Sequence, residues 1–197
     1  YVIDDELLKL TEKAIGLGVD LLGGAPHLSE KPREYIDTIF DLALKNNLPI
    51  DFHVDESDEP EVTTLDYIAE KTIATGMEGK VTAGHCTSLA AVSDKIAEKV
   101  IAQCAEAGLH IVTLPSCNLY LMGRKDKQPI RRGVTRVKDF LKAGVNIAYA
   151  SDNLRDPFRP YGNADMLEEG LLTAQVLQMG TPSELETVFR MGTYNPA

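Results

Sequence analysis

Along this chain the apolar residues alternate between helical spacing and short runs of strand length. Ile3, Leu7, Leu10 and Ala14 share one face of a helix predicted from Asp4 to Gly18. Val19 to Gly24 is a short apolar run that ends in Gly23-Gly24-Ala25-Pro26-His27. Ile36, Ile39, Phe40 and Ala43 stand at i, i+3, i+4 and i+7 and predict a helix from Pro32 to Asn46. The stretch Ile50-Asp51-Phe52-His53-Val54-Asp55-Glu56 comes next. As a strand it sends Phe52 and Val54 to one side and His53 to the other, with Glu56 at the mouth of the cavity His53 faces. The alternation then continues with a helix from Thr64 to Thr75, a strand from Lys80 to His85 and a helix from Ser93 to Ala107, with Ala97, Val100, Ile101 and Cys104 on one stripe. A strand from His110 to Leu114 leads into a long loop through Arg131-Arg132-Gly133, a helix ending at Ala143 and a strand from Val145 to Ala150. Two helices follow, one from Asn163 to Met179 and one opened by Thr181-Pro182-Ser183-Glu184, which supplies an N-cap, a proline at the first helical position and a capping-box glutamate.

Strand starts recur about every thirty residues, the length of one βα unit. Such regular alternation predicts an α/β fold, a parallel sheet clothed by helices, as either a (β/α) barrel or an open doubly wound sheet. A length of 197 residues suits a single domain spanning 1–197, with no linker or low-complexity segment.

The charge balance narrows the partners. Twenty basic against thirty acidic residues leave a net charge of −10, which disfavours nucleic acid and anionic membrane. Neither a membrane-length apolar run nor a basic-then-apolar leader is expected. Cys86, Cys104 and Cys117 are odd in number and lack CxxC spacing, so free thiols in a reducing cytoplasm are expected.

In α/β enzymes the chemistry stands at the C-terminal ends of the strands. Here those ends carry His27, then His53 with Glu56, then His85, then Pro115-Ser116-Cys117-Asn118, then Asp152-Asn153. Taken singly, each has an ordinary structural use: a core histidine bonded to a carbonyl, or an Asp-Asn turn. Two histidines and an aspartate repeating one topological position instead predict a metal-assisted hydrolase, because imidazole and carboxylate can hold a divalent ion while Glu56 moves a proton. His110 begins its strand and is expected at the opposite rim. Arg131-Arg132 reads as a solvated or ion-paired loop feature.

These residues resemble the amidohydrolase superfamily, with the finer likeness to cytosine deaminases. The likeness is carried by Phe52-His53-Val54-Asp55-Glu56, Val81-Thr82-Ala83-Gly84-His85, Leu119 to Arg124, Arg131 to Lys138, Ser151-Asp152-Asn153 through Asp156-Pro157 to Leu167, and Thr193-x-Asn-Pro-Ala197. It implies that the chain is the C-terminal portion, strands four to eight, of a TIM-like (β/α)8 metal-dependent hydrolase barrel. It implies one divalent metal, iron or zinc, held by His53 and Asp152, with a His-x-His pair on an earlier strand that this sequence does not contain. Catalysis would fall to Glu56, His85 and Asp152, and substrate binding to Asn153 and His27. The implied reaction is attack of metal-activated hydroxide on a cyclic amidine carbon, releasing ammonia from a cytosine-like amino-azaheterocycle. The implied partner is a small aminopyrimidine, purine or triazine, and a homo-oligomer is left open.

Asn153 departs from the cytosine deaminase pattern, which has a second aspartate there. The same Ser-Asp-Asn turn resembles N-isopropylammelide isopropylaminohydrolase, so hydrolytic N-dealkylation of an alkylamino-hydroxytriazine is an alternative. Two further readings are a non-catalytic barrel remnant and a doubly wound nucleotide-binding module. The second should show a glycine-rich phosphate turn, of which Gly23-Gly24-Ala25-Pro26 is only a fragment.

Overall fold

The computed structural model describes residues 5–60 and 64–197. Five strands, β1 (Leu22–Gly24), β2 (Ile50–Val54), β3 (Val81–His85), β4 (His110–Thr113) and β5 (Asn146–Tyr149), form one sheet in chain order. All four ladders are parallel, with Leu22 opposite Ile50, Val54 opposite His85 and Thr113 opposite Tyr149. The crossovers are helical: α1 (Asp5–Gly16), α2 (Pro32–Asn46), α3 (Leu65–Thr75), α4 (Asp94–Glu106), α5 (Pro115–Leu121), α6 (Val137–Lys142), α7 (Met166–Val176) and α8 (Pro182–Met191). Among the described residues no helix is long and apolar enough to cross a membrane.

The sheet has one dry face. Ile50, Phe52 and Val54 are fully buried, while Asp51 and His53 between them are exposed on the other side. Val81, Ala83, Ile111 and Ile147 continue the dry face and meet Ile36, Phe40, Ile68, Val100 and Phe140 from the helices. Each such burial contributes roughly 1.5–3 kcal/mol, so this layer is the main reason the strands keep their register. α2 lies beside α3, α3 beside α4 and α4 beside α6, as the staves of a barrel wall do. The opposite face presents Asp51, His53, Thr82, His110 and Asn146. At its N-terminal end, Asn195 donates to Ile147 O at 2.8 Å and Asn146 donates to Asn195 O at 3.0 Å, so the closing Asn-Pro segment is pinned across the strand starts. His110 lies at this end, with Nε2 3.2 Å from Gly79 O.

Several expectations change in detail. The helix expected from Asp4 is described from Asp5, and Ile3 and Asp4 lie outside the described residues. The packed face of α1 carries Leu8 and Ile15, whereas Leu7 and Leu10 are exposed. Both sets have helical spacing, and the neighbouring core selects between them. The segment read as a long loop contains α5, begun by Pro115 at its first position, a start signal obscured by the poor helix formers Ser116, Cys117 and Asn118. α7 starts at Met166 rather than Asn163, because Asp165 caps it by accepting from Leu167 N and Glu168 N. The predicted capping box of α8 is present, between Thr181 and Glu184. Arg131 is ion-paired, with Asp126 at 2.7 Å.

Candidate active site

Three donor side chains meet at the C-terminal ends of β2, β3 and β5. His53 Nδ1 lies 2.8 Å from His85 Nε2, and His85 Nε2 lies 3.6 Å from Asp152 Oδ2. Glu56, just beyond β2, places Oε1 3.4 Å from His85 Nδ1.

Simple alternation would not bring His85 here. It pairs with Val54 and shares its parity with Val81 and Ala83, which face the helices. A left-handed backbone at His85 (φ 66°), continued at Cys86 (φ 52°), turns the imidazole back toward His53. Asp152 (φ 61°) and Asp55 (φ 47°) adopt the same conformation. Each such residue costs on the order of 1–3 kcal/mol and persists because its surroundings over-determine it. For Asp55 the surroundings are plain: its buried carboxylate accepts from Thr64 N at 2.7 Å, Thr64 Oγ1 at 2.9 Å and Leu65 N at 3.1 Å. The turn after β2 is thereby tied to the start of α3. Burial outweighs those donors and pushes the Asp55 carboxyl up to about 6.

The protonation pattern follows from Asn118 on α5. Its Nδ2 sits 3.0 Å from His85 Nδ1 and 3.4 Å from Glu56 Oε1, so the amide nitrogen faces the carboxylate and donates to His85. His85 Nδ1 is therefore an acceptor. Burial, only partly offset by Asp152, pushes the His85 pKa down to about 4, so near neutral pH the ring is uncharged and its one proton sits on Nε2. That proton points at His53 Nδ1, leaving His53 as the lone-pair bearer of the two. Burial, helped by the Asp152 charge, pushes the Glu56 carboxyl up to about 7, where it can take and release a proton.

Asn153 stands beside Asp152 and is held at both ends. Its Nδ2 donates to Asp156 Oδ2 at 2.6 Å, and its Oδ1 accepts from Cys117 Sγ at 3.1 Å. One hydrogen and one lone pair of the amide are left for a ligand. Gly162 lies so close behind that a Cβ there would come within 2.0 Å of Asn153 O. His27, half-buried on a 3-10 turn after β1, contacts His53 O through Nδ1 at 3.1 Å, and burial lowers its pKa.

The donor set fits a divalent metal. His53, His85 and Asp152 bring two imidazole nitrogens and a carboxylate oxygen within 4.8 Å of one another. With His85 Nε2 carrying its proton, the His53 lone pair and the Asp152 carboxylate are the groups left to hold an ion, a combination suited to zinc or iron. Glu56, Cys117 and Asp152 also converge, but burial raises the Cys117 thiol and keeps it a neutral donor to Asn153. Cys86 and Cys104 are buried, and their thiols too are pushed up by burial. Asn118 was legible only as part of a strand-end tetrapeptide. Its helical setting, which aims it at His85, has no separate mark in the sequence.

Residues 6–197 match the Amidohydrolase family. The chain is 39% identical over 198 residues to a pterin deaminase of Rhizobium rhizogenes, covering 100% of this chain and 45% of that protein. It is 30% identical over 195 residues to N-isopropylammelide isopropyl amidohydrolase of Pseudomonas sp. strain ADP, covering 98% of this chain and again 45% of the relative. A crystal structure of 5-methylcytosine deaminase from Klebsiella pneumoniae liganded with 5-fluorocytosine superposes with a TM-score of 0.91 at 30% identity, over 95% of this chain and 46% of that one. The chain thus spans about half the length of the proteins it matches, and its fold is part of a TIM-like barrel. With that family match running from residue 6 to residue 197, across all five strands, the chain belongs to the amidohydrolase family.

Proposed function

We propose that the protein carrying this chain is a metal-dependent deaminase that hydrolyses an exocyclic C–N bond of an amino-azaheterocycle. The supporting observation is the cluster in which His53, His85 and Asp152 converge while Glu56 lies against His85. In this reading residues 1–197 are a single domain, the C-terminal portion of the barrel. His53 and Asp152 hold the metal, zinc or iron, together with ligands from the rest of the protein. When bound, the metal supplies a Lewis acid that makes water nucleophilic near neutral pH.

The chain's own groups then divide the proton work. The Nε2–H of His85 donates a hydrogen bond to the attacking oxygen and orients it. Glu56, pushed up to about 7, accepts a proton from the water and passes it to a ring nitrogen, which makes the neighbouring amidine carbon electrophilic. Asp152 takes the remaining proton from the attached oxygen and delivers it to the departing nitrogen. The C–O bond forms and the C–N bond breaks, leaving a ring carbonyl and ammonia. Asn153, with His27 beside it, contacts the ring edge.

The substrate we favour is an amino-azaheterocycle other than cytosine. Support comes from Asn153 in place of a second aspartate and from the 39% identity to a pterin deaminase. A second reading, release of an alkylamine from a hydroxytriazine by the same steps, is favoured by the 30% identity to N-isopropylammelide isopropyl amidohydrolase.

The test uses the full-length, metal-loaded protein against pterin, isoguanine, cytosine and ammelide-type triazines, following released ammonia or alkylamine. Ammonia from pterin or isoguanine in preference to cytosine is expected. Alkylamine release alone would select the second reading, and no turnover on any substrate would leave a non-catalytic barrel remnant.

A further inference from the structure

We propose that Arg159 and Glu169, a buried ion pair outside the donor cluster, are positioning residues that hold Asp152 and Asn118 in their working places; this rests on the function proposed above. Arg159 and Glu169 have side-chain exposures of 4% and 1%, and Arg159 Nη2 lies 3.0 Å from Glu169 Oε1. Arg159 Nη1 donates to Ser151 O at 2.7 Å, on the residue immediately before Asp152. The same residue closes the far end of that loop, because its backbone N–H donates to Asp156 Oδ1 at 2.9 Å while Asp156 Oδ2 accepts from Asn153. Asp152 is left-handed, so its backbone would relax toward a commoner conformation if the carbonyl before it were released.

Glu169 extends the hold to the neighbouring strand end. From α7 it accepts the Ser116 hydroxyl at the start of α5. Cys117 and Asn118, the next two residues, make the contacts to Asn153, His85 and Glu56. One guanidinium and one carboxylate thus fasten both segments that bear the site, one after β4 and one after β5. The bland alternative is a structural ion pair that only fills space. Stability alone is a weak reason to keep such a pair, since apolar replacements of similar volume are often neutral or stabilising.

That property supplies the experiment. In the full-length protein, Arg159→Met/Glu169→Met removes both charges together, and Arg159→Lys keeps the charge but loses the two-pronged grip on Ser151 O and Glu169. Each is compared with the parent for melting temperature, half-life of metal loss to excess chelator, kcat and KM. The expected result is a melting temperature close to that of the parent with metal lost about 10- to 100-fold faster and kcat lowered by a similar factor, KM changing less. Parent-like metal retention and kcat in either variant, at a parent-like melting temperature, would overturn the proposal. If the double variant does not fold, Arg159→Lys decides on the same readouts. A parent protein that neither retains metal nor turns over any heterocycle would refute the functional reading itself, before any variant is compared.

Discussion

His85 is the most constrained single residue: it touches His53, Asn118, Glu56 and Asp152, and its backbone is bent to do so. Its depressed pKa has a sign that can be tested. The unfolded imidazole titrates near 6.5 and the folded one near 4, so between those values the unfolded chain binds more protons. Metal-free protein should therefore lose stability as pH falls from 6.5 through 4, and His85→Asn should show a smaller drop in melting temperature between pH 7.5 and pH 5 than the parent. Equal drops would mean that His85 is not buried in its neutral form. Glu56→Gln should keep fold and metal but lower kcat by about 10²- to 10⁴-fold, as expected for removal of a general acid–base group. Near-normal turnover would take Glu56 out of the mechanism. Asn153→Asp alone would set a carboxylate against Asp156, where the amide now donates at 2.6 Å, and should lose activity on every substrate. Asn153→Asp/Asp156→Asn relieves that repulsion and should recover turnover with a preference moved toward cytosine, read as ratios of kcat/KM. An unchanged ratio would make Asn153 a loop support rather than a reader of the ring.

Elements were legible wherever period and punctuation agreed. Ile36, Ile39, Phe40 and Ala43 identify α2, which the structure gives the predicted bounds, and Thr181-Pro182-Ser183-Glu184 identifies the start of α8. The strand-end rule located His53, Glu56, His85 and Asp152 because parallel strands share one direction, so their ends share one rim. What could not be read is how side chains turn once a strand has ended. His85 has the parity of the helix-facing residues and reaches the cluster only through a positive φ, and the spacing of apolar residues contains no trace of that. Asp55 shows the converse: the parity of Asp51 and His53 would put it on the wet face, yet it turns away to fasten α3. Asp55→Ala would strand the buried Thr64 and Leu65 donors and should destabilise the domain by about 2–4 kcal/mol in denaturant unfolding, as befits the loss of several bonds to one carboxylate. A change under about 0.5 kcal/mol would show that water satisfies those donors.

Across the whole molecule, the sheet is coated on one face, and among the described residues β1 and β5 each pair with a single neighbour. Unpaired strand edges invite association with other chains. Leu185 and Phe189 on α8 and Leu167 and Leu171 on α7 add exposed apolar surface. The 197-residue segment expressed by itself should therefore elute as oligomers or aggregate in size-exclusion chromatography with light scattering. A monodisperse monomer would show that this half-barrel shields its own edges. The strictly sequential strand order bears on how the chain comes off the ribosome. Each new strand docks beside the one synthesised just before it, one βα unit earlier, so no strand must wait for a distant partner still to be translated. Pairing can then advance in step with synthesis, and once β3 has left the ribosomal tunnel a three-stranded ladder carrying His53 and His85 can form before β5 emerges.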